Sequence, residues 1–123
     1  MATLLAEFEI ENGQPAFVQG SKHKHYRIRL FLEGVPQDAI TVRYQLDPTY
    51  KNPIRIVSAG APQFNEFTTA YGDYLIQVSM RNKSDPNYDH PLTSGRLAEA
   101  LQTKYAGTAN PSISVAIQEI AAH

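Results

Sequence analysis

Two short stretches carry the residues with the most chemical promise: LDPTYKNP at 46–53 and TTAYGDY at 68–74. Each lies at the end of a strand-like run and sets a tyrosine beside a small polar or backbone-donating neighbour, Thr49 with Tyr50 and Tyr71 with Gly72. Two aromatic rings held face to face make a narrow slot that a flat or apolar group can enter, with stacking contact on both sides. Inside it, a threonine hydroxyl and a free backbone N–H near Tyr71 can fix a carbonyl. The same tyrosines can also simply cover the end of a core, and composition does not separate these two readings.

The remaining polar clusters offer less. In SKHKHY, His23 and His25 lie two apart, so both imidazoles of an extended segment would share one face and could share an ion. With lysines beside them and no obvious third ligand, the segment reads instead as a weakly basic loop before a strand. SDPNYD at 84–89 lacks the regular oxygen alternation and the turn glycine of a calcium loop, and reads as a turn. His90 and His123 are isolated in the sequence. No nucleophile elbow, phosphate loop, dinucleotide glycine pattern or helical histidine pair is present. The expectation is a noncatalytic chain with no catalytic residue, metal or cofactor.

Positioning two loops requires a rigid scaffold, and alternation supplies one. In TLLAEFEIE, Leu4, Ala6, Phe8 and Ile10 point one way while Leu5, Glu7, Glu9 and Glu11 point the other. HYRIRLFLEG turns Tyr26, Ile28, Leu30 and Leu32 inward with Arg27, Arg29 and Glu33 outward, and AITVRYQL turns Ile40, Val42, Tyr44 and Leu46 inward. Outward glutamates of the first run would complement outward arginines of the next two if the strands are neighbours. IRIVS, QFNEFTT and GDYLIQVSMR follow, the last with Tyr74, Ile76, Val78 and Met80 alternating against Leu75, Gln77, Ser79 and Arg81. Six or more short strands separated by ENGQP, EGVPQD and DPTYKNP turns argue for an antiparallel sandwich.

The character changes beyond the turn-rich NKSDPNYDHPLTSG. RLAEALQTKY is built from helix formers, with Leu97, Leu101 and Tyr105 four apart, Thr93 or Ser94 as a candidate N-cap and Gly107 as a stop. NPSISVAIQEIAAH fits either a strand or a helix; Asn110 as cap and Pro111 at the first helical position favour the helix. The expected organisation is a single domain, 1–123, with sandwich strands over 1–82 and a helical tail over 93–122 packed on them.

Composition bounds the function. A chain of 123 residues buries one core, and a formal net charge of −1 gives no positive field for nucleic acid or an anionic membrane surface. Without cysteine there are no disulfides, thiolate metal sites or cysteine nucleophile. The N-terminal stretch lacks a basic region, and no apolar run is long enough to span a bilayer. A cytoplasmic location is expected.

VRYQLDPTYKNPIR followed by TTAYGDYLIQV, whose Tyr71 lies sixteen residues after Arg55, resembles the YEATS family, especially its prokaryotic branch. The shared pattern is an apolar strand, a Ser/Thr-aromatic pair, a nearby proline, a basic residue, then aromatic-Gly/Ala-x-aromatic opening another strand. Leu46-Asp47, Thr49-Tyr50, Pro53, Arg55 and Tyr71-Gly72-Asp73-Tyr74 fill those places. Asp47 stands where the family usually has histidine, and Ala70 where it often has glycine. The resemblance implies a mainly β, immunoglobulin-like antiparallel β-sandwich, completed here by one or two short C-terminal α-helices. It also implies a loop-end reader of acylated lysine. Tyr50 and Tyr71 would be the aromatic sandwich, Thr49 the hydroxyl on the acyl amide, and the Tyr71-Gly72 backbone the carbonyl clamp, with Asp47 and Ala70 alongside. His25 or Tyr26 would supply the first-loop contact. The implied partner is an acylated peptide or a small acyl or planar metabolite, rather than nucleic acid or membrane. The alternative is an adaptor that keeps the sandwich as scaffold and meets a protein partner, or a second copy, through its C-terminal tail.

Overall fold

The computed structural model describes residues 2–83 and 85–123, with residues 85–89 described by backbone alone. The strands are β1 (Thr3–Phe8), β2 (Ile10–Glu11), β3 (Gln14–Pro15), β4 (Phe17–Gln19), β5 (Lys24–Glu33), β6 (Ala39–Gln45), β7 (Ile54–Ser58), β8 (Glu66–Ala70), β9 (Leu75–Asn82) and β10 (Asp85–Arg96). Two helices follow, α1 (Leu97–Lys104) and α2 (Pro111–Ala121).

Among the described residues all strand pairs are antiparallel, and they form two four-stranded sheets and a separate two-stranded one, β2-β3. In the first, β5 is central: β1 and then β4 run along one edge and β8 along the other. The second has the order β10-β9-β6-β7. Inward side chains of both sheets meet in one core, where Phe8, Ile28, Leu30, Leu32, Val42, Tyr44, Ile76 and Val78 are buried. This is the mainly β sandwich that the alternation predicts, with two helices after it.

Alternation fails where local geometry intervenes. Ile10, expected inward, is exposed, because the chain leaves the sheet after Glu9 and turns through Asn12 and Gly13, at φ 52° and 78°, into the β2–β3 hairpin. Leu5, expected outward, is buried opposite Phe31, whose ring lies under the Arg29 guanidinium at 4.4 Å. A bulge between Ala39 and Thr41 buries Ala39 and leaves Ile40 half-buried. The expected charge pairing holds within the first sheet, where Glu7 faces Arg29 and their side chains meet at 3.0 Å. It does not extend to Arg43, because β6 belongs to the other sheet.

The strands also run past residue 82. The stretch expected as turns contains β10, which continues to Arg96 along the open edge of β9. An edge strand tolerates proline where a central one does not, and the register shifts next to Pro91 absorb the break. The side chains of SDPNYD lie outside the described residues.

α1 begins without a cap of its own. Neither Thr93 nor Ser94 serves, since both lie within β10 and Arg96 occupies the N-cap position with no side-chain bond. Asp73, from the β8–β9 loop, takes that role: its Oδ1 accepts from Ala98 N at 2.9 Å and its Oδ2 from Arg96 Nε at 2.9 Å. Leu97 and Leu101 are fully buried, each contributing about 2 kcal/mol of apolar transfer free energy. α2 has the cap the sequence predicts, with Asn110 Oδ1 accepting from Ser112 N and Ile113 N and Pro111 following. It buries Ile113, Ala116 and Ile120. No helix among the described residues is long and apolar enough to cross a membrane.

Candidate ligand-binding cavity

The two loops of the sequence argument come together at one end of the sandwich, with the β4–β5 turn and the end of α2 beside them. They enclose a cavity of about 520 Å³, lined by Asp47, Thr49, Tyr50 and Lys51 from one loop and by Thr69, Ala70, Tyr71, Gly72, Asp73 and Tyr74 from the other. His25 and His123 complete the wall.

The β6–β7 loop is closed at its base by Leu46 N donating to Pro53 O at 2.8 Å, and at its tip by Tyr50 N donating to Asp47 O at 3.1 Å. Asp47 organises the turn. Its Oδ1 accepts from Thr49 N at 3.0 Å and from Thr49 Oγ1 at 2.7 Å. Those two bonds, the backbone one first, hold the Asp47 carboxyl below the usual carboxylate range. The Thr49 hydroxyl proton is therefore committed to Asp47, which leaves its oxygen lone pairs as the groups offered outward. This refines the expectation of a free threonine donor.

The two tyrosines are held differently. Tyr50 packs half-buried against the core, its hydroxyl donating to Thr69 O at 2.5 Å and its ring edge-on to Tyr74 at 5.4 Å. Tyr74, only 7% exposed, places its hydroxyl beside that of Tyr50, yet the hydroxyl has no well-formed hydrogen bond among the described residues. Burial pushes both phenols above the ordinary tyrosine pKa. Tyr71, in contrast, is 46% exposed. It lies parallel to His23 at 4.7 Å between ring centroids, and His25 meets it edge-on at 5.2 Å. Among the described residues no ring contact joins Tyr50 to Tyr71; they line one cavity from different supports.

Two glycines permit this arrangement by close approach. A Cβ on Gly20 would lie 2.6 Å from His25 Nε2 and 2.9 Å from His23 O, so only glycine lets the β4–β5 turn fold against the histidines. A Cβ on Gly72 would lie 3.1 Å from the His123 carbonyl carbon, so the end of α2 rests on the loop that carries Tyr71.

Of the residues singled out in the sequence, Asp47, Thr49, Tyr50, Ala70, Tyr71, Gly72 and His25 all line the cavity. Tyr26 does not. It is buried in the core, and its hydroxyl donates to Glu119 Oε2 at 2.6 Å, tying α2 to β5. Of the two first-loop candidates, His25 thus faces the cavity. Lys51, Thr69, Asp73, Tyr74 and His123 also line it and were not anticipated. Tyr74 had a signal, as the second aromatic of aromatic-Gly-x-aromatic. His123, about fifty residues from Tyr71 in sequence, had none. His23 and His25 each contact the Tyr71 ring, and among the described residues no group of three or more His, Cys, Asp or Glu side chains is placed to hold a metal ion.

Comparison with known proteins gives the chain a family and its fold a set of relatives. No curated protein matches the chain. Among solved structures it is similar to the Yaf9 YEATS domain recognising a succinylated histone H3 peptide, at 20% identity and TM-score 0.52, covering 79% of this chain and 74% of that one. It is also similar to the Yaf9 YEATS domain bound to an acetylated histone H3 peptide, at 22% identity and TM-score 0.50, covering 79% of this chain and 73% of that one. These likenesses establish the immunoglobulin-like sandwich. The family model described as the prokaryotic YEATS domain matches residues 26–92, more than half the chain and both cavity loops. The chain belongs to the prokaryotic YEATS domain family.

Proposed function

We propose that this protein is a noncatalytic reader whose loop-end cavity takes the acyl group of an acylated lysine or a chemically similar small acyl ligand. The observation that carries the reading is the convergence of Thr49, Tyr50, Tyr71 and Gly72 on one cavity between the two loops. The exposed Tyr71 ring and the more deeply set Tyr50 ring provide the aromatic walls. Thr49, its proton held by Asp47, presents an acceptor to the acyl amide N–H, and the Tyr71-Gly72 backbone provides N–H groups for the acyl carbonyl. That Yaf9 YEATS domains are solved with acylated histone peptides supports an acylated peptide as the partner class.

The adaptor alternative has little to draw on in the helices, where Val115 is the large apolar side chain left exposed. Their apolar faces, Leu97 and Leu101 in α1 and Ile113, Ala116 and Ile120 in α2, are spent on the chain's own core. Calorimetric titration with acetyl-lysine and crotonyl-lysine peptides tests the reading. Tyr71→Ala should weaken binding at least tenfold, since one stacked aromatic wall contributes about 1 kcal/mol beyond the apolar area it buries. Equal affinity in wild type and Tyr71→Ala would refute it.

A further inference from the structure

We infer that the end of α2 sets the length of acyl group this cavity accepts, with His123 as its stop, an inference that rests on the acyl-lysine reading. His123 lies on the cavity wall although it is remote in sequence from both loops. Its main-chain carbon, Cβ and carbonyl oxygen stand 3.1, 3.2 and 3.4 Å from the point a Cβ on Gly72 would occupy. That spacing closes the gap between Gly72 and the end of the helix, so an acyl chain growing from there is turned toward the His123 imidazole, the part of the residue that sets the stop. The imidazole extends the barrier, 4.7 Å from the His23 ring at 58° and 6.5 Å from the Tyr71 ring at 56°. An acyl chain whose carbonyl is held at the Tyr71-Gly72 backbone therefore meets His123 if it grows in that direction.

The barrier is set by a fixed element. Ala122 N donates to Gln118 O at 3.0 Å and His123 N to Ile120 O at 3.2 Å, so the last turn is hydrogen-bonded up to His123. Beneath it, Ile120 is fully buried, and Glu119 is held by the Tyr26 hydroxyl at 2.6 Å. His123 itself is exposed, so shortening its side chain removes bulk from the cavity without removing core packing. The ligand class this selects is the short-chain acyl-lysine, acetyl and propionyl ahead of longer chains.

The test is a series of one lysine peptide carrying acetyl, propionyl, butyryl and hexanoyl groups, titrated into wild type, His123→Ala and His123→Phe. Wild-type affinity should peak at the short acyl groups and fall beyond them. In His123→Ala, affinity should keep rising by about fourfold for each methylene that becomes buried. His123→Phe, which keeps a ring of similar reach, should retain the wild-type cut-off, showing that shape rather than imidazole chemistry sets it. Binding by wild type with the same chain-length profile in His123→Ala would overturn this inference and leave the acyl-lysine reading standing. No binding of any peptide by any of the three proteins would overturn both.

Discussion

Replacing Asp73 should damage the fold and the cavity together, because one carboxylate holds the β8–β9 loop to the start of α1. Asp73→Ala removes two contacts, the 2.9 Å bond from Ala98 N and the 2.9 Å ion pair with Arg96. The first is a helix cap in all but sequence position, and losing such a cap costs about 1 kcal/mol, with a further ~0.5 kcal/mol from the lost negative charge at the helix N-terminus. The ion pair counts for less. The Arg96 side chain is 57% exposed while that of Asp73 is 16% exposed, which discounts the pair to about 0.5 kcal/mol. The sum is about 2 kcal/mol, or a fall of about 1 M in urea midpoint when the slope is ~2 kcal/mol per M. Arg96→Ala should lose only the last of these contributions. Asp73→Asn, which keeps an oxygen for Ala98 N, should fall between the two. Urea unfolding of the three variants decides it: an Asp73→Ala midpoint equal to that of Arg96→Ala would show that the cap supplied from the β8–β9 loop contributes nothing.

Three further predictions concern buried phenols. Tyr74→Phe should be neutral or stabilise by about 1 kcal/mol, because it removes a buried hydroxyl that lacks a well-formed partner; a loss of 2 kcal/mol would mean that the hydroxyl is satisfied after all. Tyr44→Phe should behave oppositely near neutral pH, costing about 1–2 kcal/mol by stripping the Phe64 carbonyl of its 2.6 Å bond. The same residue should shape alkaline unfolding, since burial first, then the nearby Glu66, hold the Tyr44 pKa above that of an unfolded tyrosine. Above pH ~10 the unfolded phenol releases its proton while the folded one keeps it, so stability present at lower pH is lost by up to about 1.4 kcal/mol per pH unit. Tyr44→Phe should flatten that decline, and an unchanged slope in urea midpoints between pH 9 and 11 would contradict the assignment.

What the sequence made legible is what depends on near neighbours. Tyr26 to Leu30 and Leu75 to Met80 alternate because each run lies in a strand with one face on the core. Asn110-Pro111 announces α2 because cap and first helical residue are adjacent. Residues set by distant parts of the chain were not legible. The cap of α1 comes from Asp73, more than twenty residues upstream, so Thr93 and Ser94 looked suitable only locally. β10 was hidden by its turn formers, which an edge position with register shifts tolerates. The cavity followed the same division. Both loops could be read from their own residues and from the family resemblance, whereas His123 reaches them only through the packing of α2.

The most direct test of the central claim is chemical-shift mapping of the isotope-labelled protein during titration with an acetyl-lysine peptide. The account predicts saturable shifts centred on Thr49, Tyr50, Tyr71 and Gly72, extending to His25 and His123, and absent with the unmodified lysine peptide. Shifts centred instead on the outer face of the second sheet, around Gln45 and Gln77, or identical shifts with acetylated and unmodified peptide, would contradict it.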